Sequence, residues 1–170
     1  MKNEKVVLVN LKGKRTGLAE KLEAHREGLL HRAFSVFIFN RQGEMLLQRR
    51  AAKKYHFGGL WSNACCSHPR PTERVLSAAK RRLNEELSFQ TSLEPMGAVT
   101  YKFHDPKSGL TEHEYDYIFT GNFDSPIYFN KEEVQAIRWI SIPDLKRELK
   151  NIPESFTPWF LKIMAELKMG

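Results

Sequence analysis

Residues 72–87, TERVLSAAKRRLNEEL, carry the clearest helical pattern in the chain, and runs of strand character flank it on both sides. Val75, Ala79, Leu83 and Leu87 fall four apart on one stripe, and Pro71-Thr72 supplies a start. Ahead of this helix, KVVLVN reads as a strand, KGKRTG as a turn and LAEKLEAH as a short helical stretch. RAFSVFIFN is a β-branched and aromatic run ending in the hairpin signal NRQG, after which EMLLQRR is expected to pair back. LWSNACCSH reads as a short strand running into a loop. Further on, strands are expected around 96–103 and 112–120, separated by the turn DPKSG, and again at AIRWISI. PDLKRELK and TPWFLKIMAEL are expected helices. A central helix among strands, with two terminal helices, predicts an α/β sandwich rather than a parallel βαβ array.

With 170 residues, the chain reads as one domain, 1–170, large enough to bury a core. No apolar run reaches the length of a membrane span. MKNEKVVLVN lacks the long apolar region and cleavage site of a signal peptide, so a cytoplasmic setting is expected. The two cysteines agree, because they are adjacent rather than spaced as a disulfide framework. Lys and Arg number 27 against 20 acidic residues, a net charge of +7. That suits an anionic partner, whether nucleic acid, acidic lipid or a phosphorylated small molecule, and equally suits a merely solvated basic surface.

Several constellations offer chemistry. In LTEHEYDYIF, strand alternation points Glu112 and Glu114 one way and His113 and Tyr115 the other. Two carboxylates on one face repel unless a cation or a shared proton compensates them. A solvent-facing E-x-E is the plainer alternative, weakened by the continuation YDYIF, which is typical of a covered sheet. His25, His31 and His68 come from three segments, and imidazole with carboxylate suits Zn, Mn or Fe. Scattered histidines are more often surface or satisfied core residues, and His56, His104 and His113 are read that way. Arg81, Arg82, Glu85 and Glu86 crowd one helical turn and a half. They are either i,i+4 ion pairs on a solvated face or a cation-binding acid beside a phosphate-gripping arginine. QRRAAKK, residues 48–54, is either a diphosphate grip or a basic surface loop.

Taken together, the segments EKLEAHREGLLHRAFSVFIFN, LQRR, LWSNACCSHP, RRLNEEL, EHEYDYIF and TPWF cover most of the chain. In that order they resemble the type 1 isopentenyl-diphosphate isomerases of the Nudix superfamily. The resemblance implies a Nudix-type α/β/α sandwich with mixed and antiparallel sheets and a central Nudix helix. Against the general box G-x5-E-x7-R-E-U-x-E-E-x-G-U, Glu73, Arg81, Leu83, Glu85, Glu86 and Phe89 fit. Ser67, Arg82 and Ser88 stand where Gly, Glu and Gly are expected. Arg82 replaces a carboxylate that a hydrolase uses for Mg, which favours diphosphate binding over hydrolysis.

The implied activity is interconversion of isopentenyl and dimethylallyl diphosphate in isoprenoid biosynthesis, by protonation and deprotonation through a carbocation-like state. By the same resemblance, His25, His31, His68, Glu112 and Glu114 would ligate one divalent metal, Zn, Mn or Mg. Lys21, Arg50, Lys54 and Arg82 would hold the diphosphate, and Glu86 would bind a Mg ion on it. Cys66, Glu114 and Tyr101 would handle protons, and Trp159 would face the reacting carbons. Cys65 would be a buried bystander, since adjacent side chains of an extended segment face opposite ways. The partner is a small diphosphate, with neither nucleic acid nor membrane, acting on a monomer or homodimer. The rivals are a Nudix diphosphohydrolase and, from another class, a basic RNA-binding or regulatory module. A structural zinc protein would favour C-x2-C spacing, which is missing.

Overall fold

A computed structural model describes residues 4–167. Its organising strand is β3 (His31–Phe39), a run apolar on both faces because both faces are covered. β3 pairs in parallel with β8 (Leu110–Asn122) along its whole length, from His31↔Glu114 to Phe39↔Asn122. It also pairs antiparallel with β6 (Cys65–Ser67), through Phe34↔Ser67, Ser35↔Cys66 and Val36↔Cys65. β8 forms a long antiparallel hairpin with β7 (Glu94–Asp105) across the expected DPKSG turn. β1 (Lys5–Val9), β2 (Arg15–Glu20), β4 (Met45–Arg50), β5 (Trp61–Ser62) and β9 (Val134–Ile140) complete, among the described residues, one mixed nine-stranded sheet.

Helices cover both faces. On one side α2 (Val75–Leu87) lays fully buried Ala78, Ala79, Leu83 and Leu87 on Phe34, Val36, Ile38 and Leu46. Each buried leucine there contributes about 1.5–3 kcal/mol relative to an exposed one. On the other side α3 (Ile142–Asn151) and α4 (Pro158–Leu167) bring Leu145, Trp159, Phe160 and Ile163 against Phe37, Met45, Leu47 and Ile118. The alternation of β8 follows, with Glu112, Glu114, Asp116 and Ile118 buried and the residues between them less so. No helix among the described residues is long and apolar enough to cross a membrane.

Three local readings are corrected. Residues 15–20 are a strand rather than a turn running into a helix, because their backbone pairs with β1, from Lys5↔Glu20 to Val9↔Arg15. The short helix α1 (Lys21–Glu27) starts after it and stops at Gly28 in the left-handed conformation. α2 opens at Val75 rather than Thr72, with an extended Arg74 before it. EMLLQRR returns from the NRQG turn but pairs with β3 only at Phe39↔Met45; its ladder is with β9.

Candidate active site

The β3–β8 register sets His31 beside Glu114, and the strand end at Ser67 delivers His68 to the same place. His25, on the buried side of α1, completes a group with Glu112 in which one ligand atom from each residue lies within 4.8 Å of all the others. His25 Nδ1–H donates to the Lys21 carbonyl at 2.6 Å, and His31 Nδ1–H donates to the Leu29 carbonyl at 2.8 Å. Those bonds fix the tautomers, so both Nε2 lone pairs face inward. His31 Nε2 stands 3.2 Å from His68 Nε2, and His68 Nε2 is 3.0 Å from Glu114 Oε1. His25 Nε2 and Glu112 Oε2 are buried 3.4 Å apart without a hydrogen-bond partner. Lone pairs and carboxylates that converge in this way call for a cation, and the donor set suits a borderline divalent metal.

Electrostatics tell the same story. Burial, then the Glu114 charge, pushes the Glu112 carboxyl up. Burial works on Glu114 in the same direction, but its contacts with Glu112, His31 and His68 outweigh it and hold that carboxyl low. Burial keeps His68 neutral, with its pKa lowered to about 3.

Cys66 belongs to the same cavity. Its thiol donates to Asn63 Oδ1 at 3.0 Å and lies 3.4 Å from the Ser35 hydroxyl. Asn63 is itself clamped by its Nδ2 donating to the carbonyls of Val36 and Cys65, both at 3.0 Å. Burial, then the Asp116 charge, pushes the Cys66 pKa up to about 12, so the group is a thiol. Tyr101 Oη is 2.7 Å from Glu114 and 3.0 Å from Asp116, and Ser35 donates to Asp116 at 2.6 Å. Trp159 is buried beside these groups, with Phe57 edge-on at 5.3 Å and the Arg50 guanidinium 5.3 Å from its ring.

The loop between β4 and β5 carries Lys54, Tyr55, His56 and Phe57 over the cavity. Backbone hydrogen bonds close its base, Arg50 N–H to Leu60 and Gly59 N–H to Arg50. Gly58 is required there, because a Cβ would lie 2.6 Å from the Ala52 carbonyl oxygen. Opposite the loop, Arg82 meets Glu86 at 2.7 Å, and Glu86 also accepts from Gln48 at 2.8 Å. One cavity is lined jointly by Lys21, Arg50, Lys54, Arg82, Glu86, Cys66, Tyr101, Glu112, Glu114, His68 and Trp159. His25 and His31 do not line it but belong to the His/Glu group that could hold a metal ion, which shares His68, Glu112 and Glu114 with the cavity.

A family model, the NUDIX domain, matches residues 29–160. An isopentenyl-diphosphate Delta-isomerase of Burkholderia multivorans is 46% identical, over 92% of this chain and 89% of that protein. Its counterpart in Serratia proteamaculans is 46% identical, over 97% of this chain and 92% of that protein. The chain belongs to this Nudix isomerase family. A crystallised protein of Deinococcus radiodurans shares the fold, with TM-score 0.76 and 17% identity over 98% of this chain and all of that one. A MutT protein of Methanosarcina mazei does so with TM-score 0.64 and 18% identity, over 82% of this chain and 93% of that one.

Within the Nudix frame, the departures from the helix box have structural meaning. Ser88 takes the left-handed conformation, φ 57°, that the expected glycine adopts freely. Arg82 puts a guanidinium, not a carboxylate, next to Glu86. Every residue given a role through the resemblance lies in the cavity or in the His/Glu group beside it, whereas Arg81, Glu85, Arg49 and Lys53 lie outside both. His56 also lines the cavity, and Asp116 stands behind it on Tyr101 and Ser35. His56, read as an ordinary surface or core histidine, is buried with Nε2 on Glu112 and its ring 6.2 Å from Trp159. Nothing in its own loop announces that. Asp116 was legible, because E-x-E-x-D puts a third acid on the face of Glu112 and Glu114.

Proposed function

We propose that the chain is an isopentenyl-diphosphate Delta-isomerase that interconverts isopentenyl and dimethylallyl diphosphate. The observation that carries this is one cavity holding two separate proton-transfer groups, the Cys66 thiol and the Tyr101–Glu114 pair, beneath a basic rim. Moving an unactivated double bond needs a proton delivered to one carbon and another removed two carbons away. Two groups of different acidity must therefore flank the substrate. In either direction one of Cys66 and Glu114 gives up a proton and the other takes one, so each turnover exchanges their protonation states. Tyr101 holds the Glu114 carboxylate by hydrogen bond.

The tertiary cation-like state between those steps needs water excluded and a π face near it. Trp159 supplies the best such face, worth about 2 kcal/mol when desolvated. Lys21, Arg50, Lys54 and Arg82 hold the diphosphate, and Glu86 takes the Mg2+ that accompanies it. His25, His31, His68, Glu112 and Glu114 hold one further divalent ion, Zn2+, Mn2+ or Mg2+, which when bound neutralises and orients the Glu114 carboxylate. The same reading takes residues 1–170 as a single cytoplasmic domain, monomer or homodimer, in isoprenoid biosynthesis. Incubation with isopentenyl diphosphate and Mg2+ in D2O is the test. Deuterated dimethylallyl diphosphate without released phosphate is expected; released phosphate without allylic product would make it a diphosphohydrolase instead.

A further inference from the structure

Two cations of the rim, Lys54 and Arg82, share a carboxylate. Lys54 Nζ pairs with Glu133 Oε2, and Arg82 Nη2 lies 3.4 Å from Glu133 Oε1. The backbone around Glu133 is tied to both supports. Ala51 N–H donates to the Glu133 carbonyl at 3.1 Å, and Lys54 N–H donates to the Ala51 carbonyl at 3.0 Å. Asn130 N–H donates to the carbonyl of Glu86 at 2.8 Å, four residues along α2 from Arg82. The carboxylate is thus held between the turn that carries Lys54 and the helix that carries Arg82. These three side chains are only 19–25% exposed, so solvent and salt screen them weakly. The neighbouring pair differs: Lys53 and Glu132 are 62% and 77% exposed.

Arg82 also faces Glu85 at 2.6 Å and Glu86 at 2.7 Å. Glu85 is shared with Arg81 at 3.2 Å, so Lys54 and Arg82 are balanced by Glu86 and Glu133, a local sum of +2 − 2 = 0. An anion approaching Lys54 and Arg82 meets charge that is already compensated. A small anion of one or two charges gains little over the carboxylate it displaces. A diphosphate with Mg2+ brings more charge, more oxygens and a cation for the carboxylates it releases.

We propose that Glu133 is a specificity-determining residue, the internal counter-anion that a ligand must displace from Lys54 and Arg82. It admits a magnesium diphosphate and rejects orthophosphate and sulfate. This rests on the diphosphate reading of the cavity. Relaxing it should tighten the binding of all such anions and compress the difference between strong and weak ones.

Calorimetric titration with inorganic pyrophosphate and orthophosphate, both with Mg2+, tests it on the wild-type chain, Glu133→Gln and Glu132→Gln. Glu133→Gln should lower the Kd for pyrophosphate by about five- to tenfold and that for orthophosphate by more. Glu132→Gln, with the same charge change in an exposed pair, should match wild type. Glu133→Ala, checked by thermal melting, should behave as Glu133→Gln does and stands in for it if that variant folds poorly. Unchanged or weaker pyrophosphate binding in the Glu133 variants would show that the carboxylate supports the site, overturning the proposal. An equal gain in Glu132→Gln would assign the effect to net charge and overturn it too. A wild-type chain that binds no pyrophosphate and gives no isomerase turnover would overturn the diphosphate reading itself, a separate result.

Discussion

Cys65 and Cys66 are chain neighbours in one three-residue strand, yet they live in different solvents. Cys65 is fully buried in the apolar layer under α2, with Phe34, Ala79 and Leu83 in the same cluster. Cys66 faces the other way, toward Ser35, Asn63, Asp116 and the cavity. The same thiol is a small hydrophobe on one face and a proton-transfer candidate on the other. The difference teaches that this short strand has an apolar face and a polar one: Cys65 packs into the core under α2, whereas Cys66 meets hydrogen bonds and charge in the cavity.

The sharpest way to break that division is to remove each thiol in turn. Cys66→Ala should lower kcat by on the order of 10³-fold with the metal still bound, as loss of an acid–base group does. Cys65→Ala should leave turnover near wild type. Steady-state kinetics with elemental analysis reads both, and a normal kcat in Cys66→Ala would put the thiol outside the chemistry. Alkylation by an epoxide analogue of the substrate should mark Cys66 alone.

Trp159 probes the wall of the same face. Trp159→Ala should lower kcat by about 10²-fold, whereas Trp159→Phe keeps a weaker π face and loses far less. Equal small losses in both would make Trp159 ordinary packing. Arg82, on the edge between the two faces, comes next. Arg82→Glu should raise KM by about tenfold or more, because it removes a phosphate grip and adds a repelling charge beside Glu86. An unchanged KM would leave Arg82 as an ion-pair partner only.

The polar face should also be where acid attacks the fold. Burial, opposed in part by Glu114, lowers His68 to about 3, and burial with the Arg50 charge lowers His56 to about 2, both from 6.5. In the unfolded chain both take up protons near 6.5, so their stabilising contribution is complete above that pH. It is lost as pH falls from 6.5 toward 3 and 2. Urea denaturation of the chelated protein between pH 7 and 5 should show stability falling below pH 6.5. The slope is up to about 1.4 kcal/mol per pH unit for each histidine. His56→Gln should flatten it; an unaltered slope would mean His56 is not held neutral. The smallest effect belongs to the apolar face, where Cys65→Ala should cost about 1 kcal/mol of unfolding free energy and nothing in the pH profile.

Much of this was visible in the residue order. The stripe Ala79, Leu83, Leu87 specified the buried side of α2, and the E-x-E alternation specified that Glu112 and Glu114 share a face. Those are local periodicities, fixed by backbone geometry. The family resemblance pointed to a set of histidines, carboxylates and cations, and the fold brings those residues together in the cavity and the adjoining His/Glu group. The turn-like look of KGKRTG misled because a strand is made by its partner, and β1 supplies one that local propensity cannot announce.

By itself, then, the sequence determined the helix stripe, the side on which each carboxylate points, and the family to which the chain belongs. Tertiary structure alone decided which distant groups meet. The parallel β3–β8 register sets His31 beside Glu114, and the loop closed at Gly59 lowers His56 onto Glu112. The 130–134 bridge likewise sets Glu133 between Lys54 and Arg82. Periodicity encodes direction within an element, whereas register and loop closure are settled only when the whole core packs, because a one-residue slip would bury a different set of side chains.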